Sequence, residues 1–273
     1  MASFTPRALG ALWPPRISWR RQAINGTTRS RHLKQRCTLH PFDDATTLAT
    51  AAATRWHALL AARPAQQPFT VALSGGRIPK LLYEAFVTAI TAHPLSLEGL
   101  HFFWGDERCV PPDDAESNFA LAHLGLLQPL RVPSEQIHRI QTELDETQML
   151  AEAETALRLV THSLPSAPPV LDLIFLGMGE DGHVASIFPG DSEAFSSNAV
   201  YRAVTGSKPP PRRVTLGLST IAAARQVWVL ISGAGKQTAL HTSLADNGRT
   251  PLSHVLRSRT HTEIFTDFPT DGS

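Results

Sequence analysis

Asp181 and His183 stand two residues apart in "GMGEDGH" (residues 177–183), and their side chains have matched acid–base chemistry. A carboxylate that accepts the imidazole N–H fixes the ring's tautomer and raises the basicity of the other nitrogen. Residues this close in sequence meet only if the chain turns sharply between them, and the flanking glycines permit such a turn. The loop also spells G-x-G-x-x-G, the dinucleotide-binding pattern. Its surroundings argue against that use. The last glycine of a dinucleotide site opens a long helix whose N-terminus faces the pyrophosphate, but Pro189-Gly190 ends any helix here within about two turns. Glu180 and Asp181 would also set two carboxylates against a dianion. Taken alone, the pair reads better as a helix cap beside a surface histidine.

Other segments shift that balance. "SGGRIPK" (74–80) offers the backbone N–H groups of Gly75 and Gly76 as an anion cradle, with Ser74 and Arg77 able to donate to phosphate oxygens. It lacks the spacing of a nucleotide-binding P-loop. "GDER" carries Arg108 beside Asp106 and Glu107, "PPRRV" carries Arg213, and "SGAGK" carries Lys236. Each cation alone reads as a solvated surface charge; their common placement is what suggests a site.

That placement follows from the expected elements. "FTVALS" (69–74), "LHFFWGD" (100–106), "LDLIFLG" (171–177), "RVTLGLS" (213–219) and "QVWVLISG" (226–233) are short apolar strands, and "TEIF" (262–265) is a last one. Helices alternate with them. One is capped near Asp43 or Asp44 and buries Leu48, Ala52, Leu59 and Ala62. Another opens at Pro79 as its first residue, a third is capped by Ser117, and a fourth carries Met149, Ala153, Ala156 and Val160 at helical spacing. "GKQTALHTSLA" and "PLSHVLRS" complete the set. Such alternation predicts an α/β protein with a mostly parallel sheet and helices on both faces. Ligands bind such sheets beyond the carboxyl ends of the strands. "SGGRIPK", "GDERCVP", "GMGEDGH" and "SGAGK" all fall there.

Composition narrows the classes. The 273 residues carry a net charge of +1, which gives no bulk reason to expect a nucleic acid or membrane partner. Cys37 and Cys109 make neither a disulfide framework nor a CxxC metal site. No apolar run reaches the ~18 residues of a membrane span. The charge is uneven: Arg7, Arg16, Arg20, Arg21, Arg29, Arg31, Lys34 and Arg36 precede the first acidic residue, Asp43. Residues 1–37 are expected to be a basic, disordered, non-catalytic arm, and 38–273 one α/β domain. An organelle transit peptide and a start codon set too early are both open readings of that arm.

"VALSGGRIPKLLYEAF", "HFFWGDERCVPPDDAESNFALAHLGLL", "LDLIFLGMGEDGHVASIFPG", "RRVTLGLSTIAAARQVWVLISGAGK" and "TPLSHVL" occur in the order of the 6-phosphogluconolactonase family, which the chain resembles over about residues 38–258. The resemblance implies a Rossmann-like α/β fold, its mostly parallel sheet covered by helices on both faces, shared with sugar-phosphate isomerases and deaminases. It implies hydrolysis of 6-phospho-D-glucono-1,5-lactone in the cytoplasm, with no metal or organic cofactor, no nucleic acid and no membrane. By position it makes His183 the general base, Asp181 its orienting carboxylate and Arg108 the contact near the reacting carbonyl. Ser74, Gly75, Gly76, Lys236 and, more loosely, Arg213 become the phosphate ligands. The family usually reads "SGGSTP" where this chain reads "SGGRIP", so Arg77 and Ile78 replace two hydroxyl residues. The alternatives are an isomerase or deaminase of the same fold and a sugar-phosphate sensor without activity. Ser186 lies outside any G-x-S-x-G elbow, so no covalent route is expected.

Overall fold

Six short strands lie parallel in one sheet: β1 (Cys37–Pro41), β2 (Phe69–Leu73), β3 (Leu100–Trp104), β5 (Leu173–Gly177), β8 (Gln226–Ile231) and β9 (Thr262–Thr266). Their order is β1-β9-β8-β5-β2-β3. The computed structural model describes residues 33, 36–64 and 67–270. The arm expected over 1–37 lies outside the described residues, apart from Leu33, Arg36 and Cys37. All of β2 is buried, as are the first four residues of β5, which is why these strands are nearly unbroken apolar runs.

Helices α1 (Ala45–Ala61) and α2 (Arg77–Ala92) pack against each other over the sheet. Asp44 starts α1 with a capping box: its carboxylate accepts the Thr47 N–H at 2.7 Å, and the Thr47 hydroxyl accepts the Asp44 N–H at 3.2 Å. Trp56 stacks on Phe86 of α2 at 3.8 Å and meets Phe175 of β5 edge-on at 5.0 Å. Such contacts add about 1 kcal/mol each beyond burial. The buried face of α1 is Leu48, Ala52, Trp56 and Leu60; Leu59 is half-buried and Ala62 exposed, against the expectation. The large Trp56 turns the stripe by one residue.

The chain leaves β2 toward β3 on one side and returns to β5 on the other, so the carboxyl ends of β2 and β5 part at a topological switch point. A second sheet rises above that gap: β4 (Asp106–Arg108), β7 (Arg212–Leu216) and β6 (Tyr201–Thr205), antiparallel in the order β4-β7-β6. This corrects two expectations. "LHFFWGD" is one strand only to Trp104, and "RVTLGLS" belongs to the small sheet, not the parallel one. Gly105 makes the transfer. Its N–H donates to Leu73 O at 2.8 Å in the main sheet, and its carbonyl accepts the Leu216 N–H at 2.8 Å in the small one.

The remaining helices are α3 (Asn118–Ala122), α4 (Glu146–Thr161), α5 (Ser192–Ser196), α6 (Leu218–Ala223), α7 (Gln237–Leu244) and α8 (Pro251–Ser258). Ser117 and Asp145 cap α3 and α4.

Candidate active site

The loop after β5 folds back on itself. Gly179 N–H donates to His183 O at 2.9 Å, and Gly182 N–H to Gly179 O at 3.0 Å. Gly182 sits at φ +80°, where a side chain would be strained and would strike Thr250. A Cβ on Gly179 would lie 2.1 Å from the His183 ring. The two glycines therefore make room for an imidazole laid over its own turn. No helix follows the loop; Met178 and Ile187 each bridge to Val184 instead, which removes the helix-cap reading of Asp181.

Asp181 Oδ1 accepts the His183 backbone N–H at 3.1 Å and meets Nδ1 at 2.6 Å. Burial works to raise the Asp181 carboxyl, but the hydrogen bonds and charge of His183 outweigh it and hold it below the ordinary range. An ionised carboxylate only accepts, so Nδ1 carries a proton, and in the neutral ring the free lone pair is the one on Nε2. The His183 side chain is 27% exposed, open enough for a water to reach it.

His183 lines a cleft of about 450 Å³ with Ser74, Gly75, Gly76, Arg77, Arg108, Arg213 and Lys236. Every cleft residue singled out in the sequence converges there, and Asp181 stands behind the ring. The cations come in two pairs. Arg108 and Arg213 are opposite one another in the β4–β7 ladder, where like charges repel. Burial and then Arg108 push the Arg213 guanidinium down, against Asp106 and Glu116. Arg213 is braced by the carbonyls of Pro210 at 3.0 Å and Lys208 at 3.3 Å, and Arg108 by that of Glu116 at 2.8 Å. On the main sheet, burial and then Arg77 push the Lys236 ammonium down, while Glu180 and Asp267 oppose them. Arg108 also pairs with Glu116 Oε2 at 3.4 Å, and a bound dianion would relieve the repulsion left within each pair of cations.

Gly76, at φ +100°, precedes α2, and no side chain caps that helix. The N–H groups of Arg77 and Ile78 on its first turn therefore have no side-chain cap. The helix starts at Arg77, which makes Pro79 its third residue, not its first as expected. A Cβ on Gly75 would lie 1.7 Å from Asn118 Oδ1, so this glycine permits a close approach of α3.

Asn118 was named in the sequence only within a motif and given no role. Its Nδ2 donates to Asp106 O at 2.8 Å and Oδ1 at 3.2 Å, while the buried Ser186 hydroxyl donates to Asp106 Oδ2 at 2.7 Å. Glu107 accepts the N–H groups of Asn118 at 2.8 Å and Phe119 at 2.7 Å. Burial raises the Glu107 carboxyl despite these bonds. The two acids of "GDER" thus anchor α3 and the segment after His183 to the small sheet. Ser186 is committed to Asp106. Cys109 lines a separate pocket beside Glu146 and Arg212. Among the described residues no group of three or more His, Cys, Asp or Glu could hold a metal ion.

Fold and cleft together define a Rossmann-like α/β protein with a cation-lined cleft at the carboxyl edge of its sheet. The chain belongs to the family described as Glucosamine-6-phosphate isomerases/6-phosphogluconolactonase, whose family model matches residues 43–265. It is 41% identical over 178 residues to the protein of Nostoc sp. named 6-phosphogluconolactonase, covering 64% of this chain and 71% of that one. It is 36% identical over 217 residues to the Oryza sativa protein named probable 6-phosphogluconolactonase 3, chloroplastic, covering 74% of this chain and 64% of that one. The chain thus spans a little under two thirds of the rice relative's length. Among solved structures, 6-phosphogluconolactonase from Trypanosoma cruzi matches with a TM-score of 0.73 at 29% identity, covering 84% of this chain and 93% of that one.

Proposed function

We infer that the protein hydrolyses 6-phospho-D-glucono-1,5-lactone to 6-phospho-D-gluconate, within the oxidative pentose phosphate pathway. The observation that carries this reading is the Asp181–His183 bond at 2.6 Å, which leaves Nε2 as a base inside a cleft lined by four cations. The names of the Nostoc, rice and Trypanosoma cruzi relatives support it.

A δ-lactone is an activated ester, so an activated water suffices and no cofactor is needed. Nε2 takes a proton as water attacks the carbonyl. Asp181 stabilises the imidazolium that forms. Arg108 meets the developing oxyanion. The C–O bond to the ring oxygen then breaks, and the imidazolium returns its proton to that oxygen. Ser74, Gly75, Gly76, Arg77 and Lys236 seat the phosphate, with Arg213 at its margin. A deaminase of the same fold needs a carboxylate at the substrate carbon. Of the cleft carboxylates, Asp106 is bound to Asn118 and Ser186, and Glu180 lies against the Lys236 loop.

We place this reaction in the cytoplasm, with the basic arm as a candidate organelle address; the rice relative's name records a chloroplast for that protein. Neither a nucleic acid nor a membrane enters it, and no helix among the described residues is long and apolar enough to cross a membrane. A coupled assay on freshly made lactone, corrected for spontaneous opening, tests the reading. Turnover is expected, with none of glucosamine 6-phosphate. Deamination without lactone hydrolysis would reverse the assignment, and binding without either would make the protein a sensor.

A further inference from the structure

Arg77 is exposed, on the first turn of α2, yet its guanidinium is not left to wander. Nη2 donates to Ser232 Oγ at 2.9 Å, and Ser232 Oγ lies 2.5 Å from Asp267 Oδ2. A guanidinium only donates and a carboxylate only accepts, so the polarity of this relay is fixed: the Ser232 proton goes to Asp267 and its lone pair receives Arg77. The other Asp267 oxygen accepts the Gly233 N–H at 2.8 Å. Gly233, at φ +101°, begins the turn that carries Lys236, and a Cβ there would lie 3.6 Å from Arg77 Nη2. One carboxylate from the segment after β9 therefore fixes the end of β8 and, through a buried hydroxyl, a side chain from α2.

A direct Arg77–Asp267 pair would occupy the guanidinium's donor edge with a carboxylate. The intervening hydroxyl uses one N–H and leaves the others without a protein partner among the described residues. Arg77 also stands where the related family usually has a hydroxyl residue, so this device belongs to the chain's own sequence.

We propose that Ser232 and Asp267 are positioning residues that hold Arg77 beside Lys236 as a second cation of the phosphate seat. The relay thereby tightens the grip on the phosphate of substrate and product. This rests on the lactonase reading above. Pre-orienting a long side chain before binding removes the ordering cost that would otherwise weaken the complex.

The test measures kcat and KM on the phosphorylated lactone and the Kd of 6-phosphogluconate by calorimetry. Ser232→Ala is expected to weaken product binding and raise KM about tenfold, the scale of one charge-assisted hydrogen bond, with kcat within about twofold. Ser232→Thr keeps the hydroxyl and restores both values. Adding Ser232→Ala to Arg77→Ala costs less than about a further twofold, because the relay has nothing left to orient. Asp267→Asn should reproduce Ser232→Ala; if melting shows that it unfolds, Ser232→Ala decides. An unchanged Kd in Ser232→Ala, or independent effects of Ser232→Ala and Arg77→Ala, overturns the relay while leaving the lactonase reading intact. A parent protein that neither binds 6-phosphogluconate nor opens the lactone overturns both.

Discussion

A side chain at position 179 would occupy the space of the His183 ring. Gly179→Ala is therefore expected to displace the base while the rest of the cleft stays in place, lowering kcat by about a hundredfold with 6-phosphogluconate affinity nearly kept. Calorimetry beside the coupled assay separates the two effects. His183→Ala removes the base itself, and kcat should fall by about a thousandfold, again with product binding retained. Loss of binding in step with rate would give the ring a structural role instead. The phosphate seat has its own pH signature. Burial, and then Arg77, hold the Lys236 ammonium below its ordinary value of 10.5. Its charge is complete on the acid side and fades as pH rises, sooner than for a free lysine. Affinity for 6-phosphogluconate should accordingly decline before pH 10.5 is reached, and Lys236→Arg should move that decline upward. The base and its acid were legible in the sequence because they share one short turn. Ser232 and Asp267 were not, since 35 positions separate them and only the strand ends bring them together.

Among the elements, the parallel strands declared themselves as apolar runs between turn residues. β1 did not, because "CTLHP" carries a single buried residue, His40, and adjoins the basic segment. The small sheet was also invisible as such. β4 is only three residues long, and two of its side chains are buried acids whose hydrogen bonds come from α3 and Ser186. No hydrophobic pattern marks such a strand. At the joint of β1, α1 and β9, Glu263 is held by His40 at 2.6 Å and by Arg55. Burial works to raise its carboxyl, but the hydrogen bonds and charges of those two partners bring it down to about 2. A depressed acid stabilises the fold fully above its unfolded value, near 4.5, and its contribution is lost as pH falls toward 2. Glu263→Gln should thus cost about 2 kcal/mol at neutral pH, and the gap to the parent in urea denaturation should narrow below pH 4.5.

Over the whole molecule the charge nearly cancels, yet Arg77, Arg108, Arg213 and Lys236 face one cleft. A concentrated field of this kind speeds the arrival of an anion and is weakened by salt, with a screening length of about 8 Å near physiological strength. Raising salt should lower kcat/KM several-fold, chiefly through KM, and Arg213→Gln should flatten that dependence. The place of β1 at the edge of the sheet bears on any cut made near the basic N-terminal segment. Among the described residues, β1 is the edge strand that covers one side of β9. The shield is short and ends at Pro41, which suits an outermost strand. A peptidase that cut beyond Cys37 would strip it away and leave a sticky ribbon open to other chains. A cut compatible with the fold therefore falls ahead of that residue. A polypeptide begun at Phe42 is expected to precipitate, whereas one begun at Arg36 stays dispersed.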